Sequence, residues 1–116
     1  MLNQVVLVGR LTRDPEVNKT EGNKHYSYIT LAVPRSFKNI NGDYDTDFID
    51  CILWDSVAKS TAEYCHKGDI VGIKGRIQSR VIEKEDGSKK YCLDVIAERT
   101  TFLSNNNKSI NQWIKK

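Results

Sequence analysis

The sequence predicts an all-β domain, a five-stranded barrel with one helix between the third and fourth strands. Three observations carry that expectation. Five β-rich runs of alternating polarity are separated by turn residues. The one segment with helical spacing falls between the third and fourth of them. The 116 residues, 39% hydrophobic and 28% charged, suffice for one core and are too few for two ordinary domains.

Residues 4–11 form the first strand, ending at the Asp14-Pro15 breaker, with room for a short extended piece near Val17. The second spans 25–33: Ile29, Leu31 and Val33 share one side, Tyr28, Thr30 and Ala32 the other, and Pro34 closes the run. The polar stretch 36–46, with Asn41-Gly42-Asp43, is expected to be an exposed loop, long enough to suggest a binding loop. In the third strand, 47–54, Ile49, Cys51 and Leu53 point inward, while Phe48, Asp50, Ile52 and Trp54 share a face that Asp50 marks as wet. A helix of about three turns then starts at an Asp55 or Ser56 cap, carries Val57, Ala58, Thr61, Tyr64 and Cys65 at helical spacing, and stops at Gly68. The fourth strand, 70–82, turns Val71, Ile73, Gly75, Ile77 and Val81 inward and Lys74, Arg76, Gln78, Arg80 and Ile82 outward, with Gly75 suited to a sharp bend. A charged turn at Asp86-Gly87 leads to the fifth strand, 91–97. Residues 1–104 make the domain, and 105–116 a short polar, basic tail.

This order of elements is that of the OB barrel, whose strand faces and loops hold single strands or oligosaccharides. The formal charge of +3 resides in Lys108, Lys115 and Lys116, since residues 1–104 hold 15 basic and 15 acidic groups. A nucleic-acid partner therefore has to be met by charge arranged on one face. Cys51, Cys65 and Cys92 lack the close pairing of a zinc or redox site and are expected to be reduced and mostly buried. His25 and His66 have no spacing partners for a metal. No G-x-S-x-G, phosphate-binding glycine loop or H-E-x-x-H occurs, so neither an enzyme nor a cofactor is expected. No apolar run approaches a membrane span and no signal peptide is visible, which points to a cytoplasmic, nucleoid-associated protein without a membrane partner.

Aromatic and basic residues share the outward faces: Phe48 and Trp54 on the third strand, Lys74, Arg76 and Arg80 on the fourth. A single strand needs this combination, because each base offers a face to stack on and each linkage a phosphate to neutralise. Phe37, at the base of the polar stretch, is a candidate third platform. Three rings at roughly 1–3 kcal/mol each would supply about 3–9 kcal/mol before ordering costs. The alternative is that the rings pack under a loop or in a subunit interface, and that the cations merely solvate a strand face. Tyr26, Tyr28 and Tyr91 are taken as packing or interface residues rather than base platforms.

The opening Met1-Leu2-Asn3-Gln4-Val5-Val6-Leu7-Val8-Gly9-Arg10-Leu11-Thr12-Arg13-Asp14-Pro15-Glu16 closely resembles the start of bacterial single-stranded DNA-binding proteins. Ile29-Thr30-Leu31-Ala32-Val33, Asp47-Phe48-Ile49, Ala62-Glu63-Tyr64, Lys67-Gly68 and Gly75-Arg76-Ile77-Gln78-Ser79-Arg80 resemble later blocks of that family in the same order, over about residues 1–103. The resemblance implies an OB-fold homotetramer that wraps single-stranded DNA without sequence preference and protects it in replication, recombination and repair. It assigns base stacking to Phe37, Phe48 and Trp54, and phosphate contacts to Lys67, Arg76 and Arg80; Lys74 is added from its outward position alone.

Two departures stand out. Many members carry an aromatic residue where this chain has Ile82, which implies one platform fewer. In place of a Gly- and Gln-rich linker with an acidic tip stands Asn111-Gln112-Trp113-Ile114-Lys115-Lys116, so recruitment of repair and replication proteins through such a tip is not expected. The alternatives to DNA binding are a docking module that engages a protein partner through the Trp113-Ile114 tail, and an RNA binder.

Overall fold

A computed structural model describes residues 1–104. The predicted tail, 105–116, lies outside the described residues. Its elements are β1 (Val5–Leu11), β2 (Asn18–Lys19), β3 (His25–Lys38), β4 (Tyr44–Trp54), α1 (Asp55–Tyr64), β5 (Ile70–Glu83) and β6 (Lys89–Ser104). β1 pairs antiparallel with β5 from Val5↔Gly75 to Arg10↔Ile70, β5 with β6, and β3 with β4, while β6 lies parallel to β4. Pairing of Arg10 and Leu11 on β1 with Ala32 and Leu31 on β3 closes the ring. Five strands thus form a closed barrel, β2 adds two residues to the edge of β3, and α1 joins the third barrel strand to the fourth, as in an OB fold.

Alternation explains the core. Ile29 and Leu31 of β3, Cys51 and Leu53 of β4, and Val71 and Ile73 of β5 are all buried, with Leu11 at the closing corner. Ala58 and Thr61 press one face of α1 onto this cluster, and the Thr61 hydroxyl donates to that of Thr100 on β6 at 3.2 Å. Burial, and then the charge of Asp50, pushes the Cys51 thiol up to about 12; burial and then Asp69 push Cys65 up to about 11. Both therefore stay protonated and weakly reactive at neutral pH, whereas Cys92 is only half-buried.

Two glycines make closure possible. A Cβ on Gly75 would run into the backbone carbonyl of Ile96, where β6 crosses β5, and one on Gly9 would sit 2.9 Å from the Ala32 carbonyl oxygen, where β1 meets β3. The bend expected at Gly75 is thus a close approach of two backbones.

The ends of the elements differ from expectation. The stretch 36–46 is not an open loop, because β3 runs through Pro34 to Lys38 and pairs with β4 as far as Lys38↔Tyr44. A tight turn closes this hairpin. The Asn39 side-chain oxygen accepts from the amides of Asn41 and Asp43, and Gly42 takes a left-handed φ of 83°. Past Val33 the ribbon has left the barrel, where a strand tolerates proline. Helix α1 ends at Tyr64, not Gly68, and its cap is Trp54, with no side-chain capping bond. Tyr64 is exposed, its ring centroid 5.7 Å from that of Phe102. β5 and β6 run beyond the barrel as a protruding ribbon, which leaves Ile77 and Val81 exposed instead of inward.

Candidate nucleic-acid interface

The outer face of β3 and β4 is built from cross-strand pairs: Tyr26↔Trp54, Tyr28↔Ile52, Thr30↔Asp50 and Ala32↔Phe48. Each follows from the period of two, which sends the even-numbered residues of both strands outward. Trp54 is half-buried, its ring tilted against Tyr26 with centroids 5.7 Å apart, and the Lys24 ammonium lies 5.9 Å from its centre. Tyr26 in turn meets Tyr28 edge-on at 5.8 Å. Phe48, 67% exposed, faces only the small Ala32 across the ladder, so no large side chain covers it from that strand. Phe37, also exposed, lies in the bulged segment between Pro34 and Lys38.

The cations reach this face through β6. The row Tyr28, Ile52, Ile96, Arg76 runs across β3, β4, β6 and β5 in register, which at about 4.8 Å per strand puts Arg76 two strands, roughly 10 Å, from Ile52. Arg76 and Arg80 both meet acids of β6. Arg76 lies 3.3 Å from Glu98 and donates to Gln78, while Arg80 Nε donates to Asp94 at 2.7 Å. That hydrogen bond, with the Asp94 charge, raises the Arg80 pKa, and Cys92 and Tyr28 add to the rise as electrostatic neighbours. Lys74 stands opposite Arg99 on β6 and Val6 on β1, a second positive spot on the outer face. Lys67 sits apart from the strand cations, exposed in the turn after α1, where its amide donates to Asp14 at 2.7 Å.

Phe48 and Trp54 therefore share one face with Tyr26 and Tyr28, and Arg76 and Arg80 border it. Sequence reasoning missed three features. Tyr26 braces Trp54, the carboxylates of Asp94 and Glu98 hold the arginines, and Lys38 stands 5.8 Å over the exposed Tyr44 ring in the hairpin. The parity of Tyr26 and Tyr28 already placed them outward, but their contact with Trp54 depends on the register between strands. Among the described residues, no group of three or more His, Cys, Asp or Glu side chains could hold a metal, and no helix is long and apolar enough to cross a membrane.

Residues 2–103 match the Single-strand binding protein family. The chain is 47% identical over 103 residues to Single-stranded DNA-binding protein B of Bacillus subtilis (strain 168), covering 89% of this chain and 91% of that protein. It is 46% identical over 106 residues to Single-stranded DNA-binding protein 1 of Lactococcus lactis subsp. lactis (strain IL1403), covering 91% and 71%. To the Single-stranded DNA-binding protein of Lactiplantibacillus plantarum (strain ATCC BAA-793 / NCIMB 8826 / WCFS1) it is 45% identical over 89% of this chain, which spans about half, 52%, of that relative's length.

Proposed function

This chain belongs to the single-strand binding protein family, and we propose that it binds single-stranded DNA without sequence preference and protects it during replication, recombination and repair in the cytoplasm. Its family is one of binding proteins, and the activity is binding rather than catalysis. In this reading bases stack on Phe37, Phe48 and Trp54 while Arg76, Arg80, Lys74 and Lys67 neutralise phosphates. The observation that carries the reading is the outer face of β4, where two rings are presented beside arginines of β5. Duplex DNA hides its base faces, so exposed rings of this kind favour unpaired strands.

Affinity from so few rings is modest, and several linked copies would multiply it. The chain is proposed to act as a homotetramer. β1 pairs with β3 only at Arg10 and Leu11, so the rest of that edge is open for a second copy across a two-fold axis, and Val6 and Val8 next to it are exposed. Light scattering at micromolar concentration should report an oligomer; a monomer contradicts this part of the proposal.

The binding test uses Trp54 itself. Oligo(dT) should quench tryptophan emission at low salt, and Trp54→Ala should weaken binding by roughly 1–3 kcal/mol, the worth of one stacked base. A flat titration of the unaltered protein rejects the function, and unchanged affinity of the variant removes Trp54 from the site.

A further inference from the structure

Between Tyr28 and Trp54 the outer face dips into an open cleft of about 270 Å³, lined by Thr20, Tyr26, Tyr28, Ile52 and Trp54. This is just under the roughly 300 Å³ at which pockets begin to hold drug-sized molecules, a size for one heterocycle. Its floor is apolar, because Ile52 lies on the outer face yet is only 6% exposed beneath the surrounding rings. Its walls are aromatic. Tyr26 is half-buried and braced on both sides, by Trp54 and by Tyr28, whereas Tyr28 is 47% exposed. A cation stands at one end, the Lys24 ammonium 5.9 Å from the centre of the Trp54 ring. An apolar floor, ring walls and a positive charge at one end match one nucleotide unit within a strand, a flat base with an adjoining phosphate. A free aromatic metabolite would satisfy the walls and make no use of the Lys24 charge.

We propose that this cleft is a base-binding subsite in which Tyr28 is a stacking platform and Lys24 a phosphate contact, additional to Phe37, Phe48 and Trp54. The inference rests on the single-strand binding reading. Tyr28 supplies the open ring face, Tyr26 holds Tyr28 and Trp54 in position, and the path of the strand turns from Phe48 along β3 rather than following β4 alone.

The test is the affinity of the full chain for (dT)₁₂, read by fluorescence anisotropy at fixed low salt. Tyr28→Leu keeps an apolar side chain and removes the ring, and should weaken binding about five- to 140-fold, the factor for one stacked base, while Tyr28→Phe binds as the parent does. Lys24→Gln should reduce the salt slope by about 0.7. A second measurement does not depend on the variants folding: photo-crosslinking of the unaltered protein to a strand carrying 5-iodo-deoxyuridine should label Tyr28. Tyr28→Leu binding like the parent, or crosslinks to Phe48 and Trp54 with none to Tyr28, overturns the subsite while leaving the single-strand reading intact. Failure of the unaltered protein to bind (dT)₁₂ overturns both.

Discussion

Arg76 and Arg80 are cations that already have anions. Glu98 and Asp94 hold them at 3.3 and 2.7 Å, so a phosphate that binds either one takes the place of a carboxylate instead of filling an empty site. The net gain per contact is therefore smaller than a count of positive residues implies, and the local neutrality explains how a domain with balanced charge still presents two guanidinium groups in fixed positions. Removing the competitor should tighten binding. Glu98→Gln frees Arg76 and is expected to strengthen affinity for oligo(dT) by about 1.5- to fivefold, the factor for an exposed ion pair of roughly 0.2–1 kcal/mol. An anisotropy titration at low salt checks it; unchanged or weaker binding means that Arg76 does not meet phosphate. None of this pairing was legible in the sequence, because Glu98 and Asp94 lie 22 and 14 residues from their partners and meet them only once β5 and β6 are in register.

The hairpin that extends β3 and β4 is held by a similar pair. Arg35 donates through Nε and Nη2 to Asp47 at 3.0–3.3 Å, with Asp45 3.6 Å away. The hydrogen bond from Arg35, and then its charge, lower the Asp47 pKa from the ordinary 3.8. A carboxylate depressed in the folded state adds stability that is complete above its unfolded pKa and is lost as pH falls through the folded one. The Asp47 side-chain carboxyl signal in NMR should accordingly titrate below the usual carboxylate range; a midpoint within or above that range contradicts the pairing. The inner halves of β3, β4 and β5 were legible because Ile29, Leu31, Cys51, Leu53, Val71 and Ile73 recur at every second position of β-rich runs. The hairpin was not, since it depends on an Asn39 turn and a cross-strand ion pair. Ile77 and Val81 were misjudged because alternation fixes which way a residue points and says nothing of what lies opposite. Of the candidate site, parity found Phe48, Trp54, Arg76 and Arg80, while the Tyr26–Tyr28 wall had to wait for the register.

The barrel as a unit depends on backbones that nearly touch. Gly75→Ala would force a Cβ into the Ile96 carbonyl and is expected to destabilise the protein by about 1–3 kcal/mol as an overpacking change, whereas at Gly72 a Cβ meets nothing nearer than 3.6 Å and alanine should be tolerated. Thermal melts of the two variants side by side check this; equal melting temperatures would mean that closure does not depend on the glycine. The β3–β4 face and the β5 arginines form one continuous surface because β6 pairs with both β4 and β5. The most direct test of that surface is a chemical-shift map of the protein on addition of oligo(dT). Signals of Phe48, Trp54, Arg76 and Arg80 should move while those of Lys59 and Glu63 on the exposed side of α1 stay in place. Shifts confined to α1, with the strand face silent, would contradict the account.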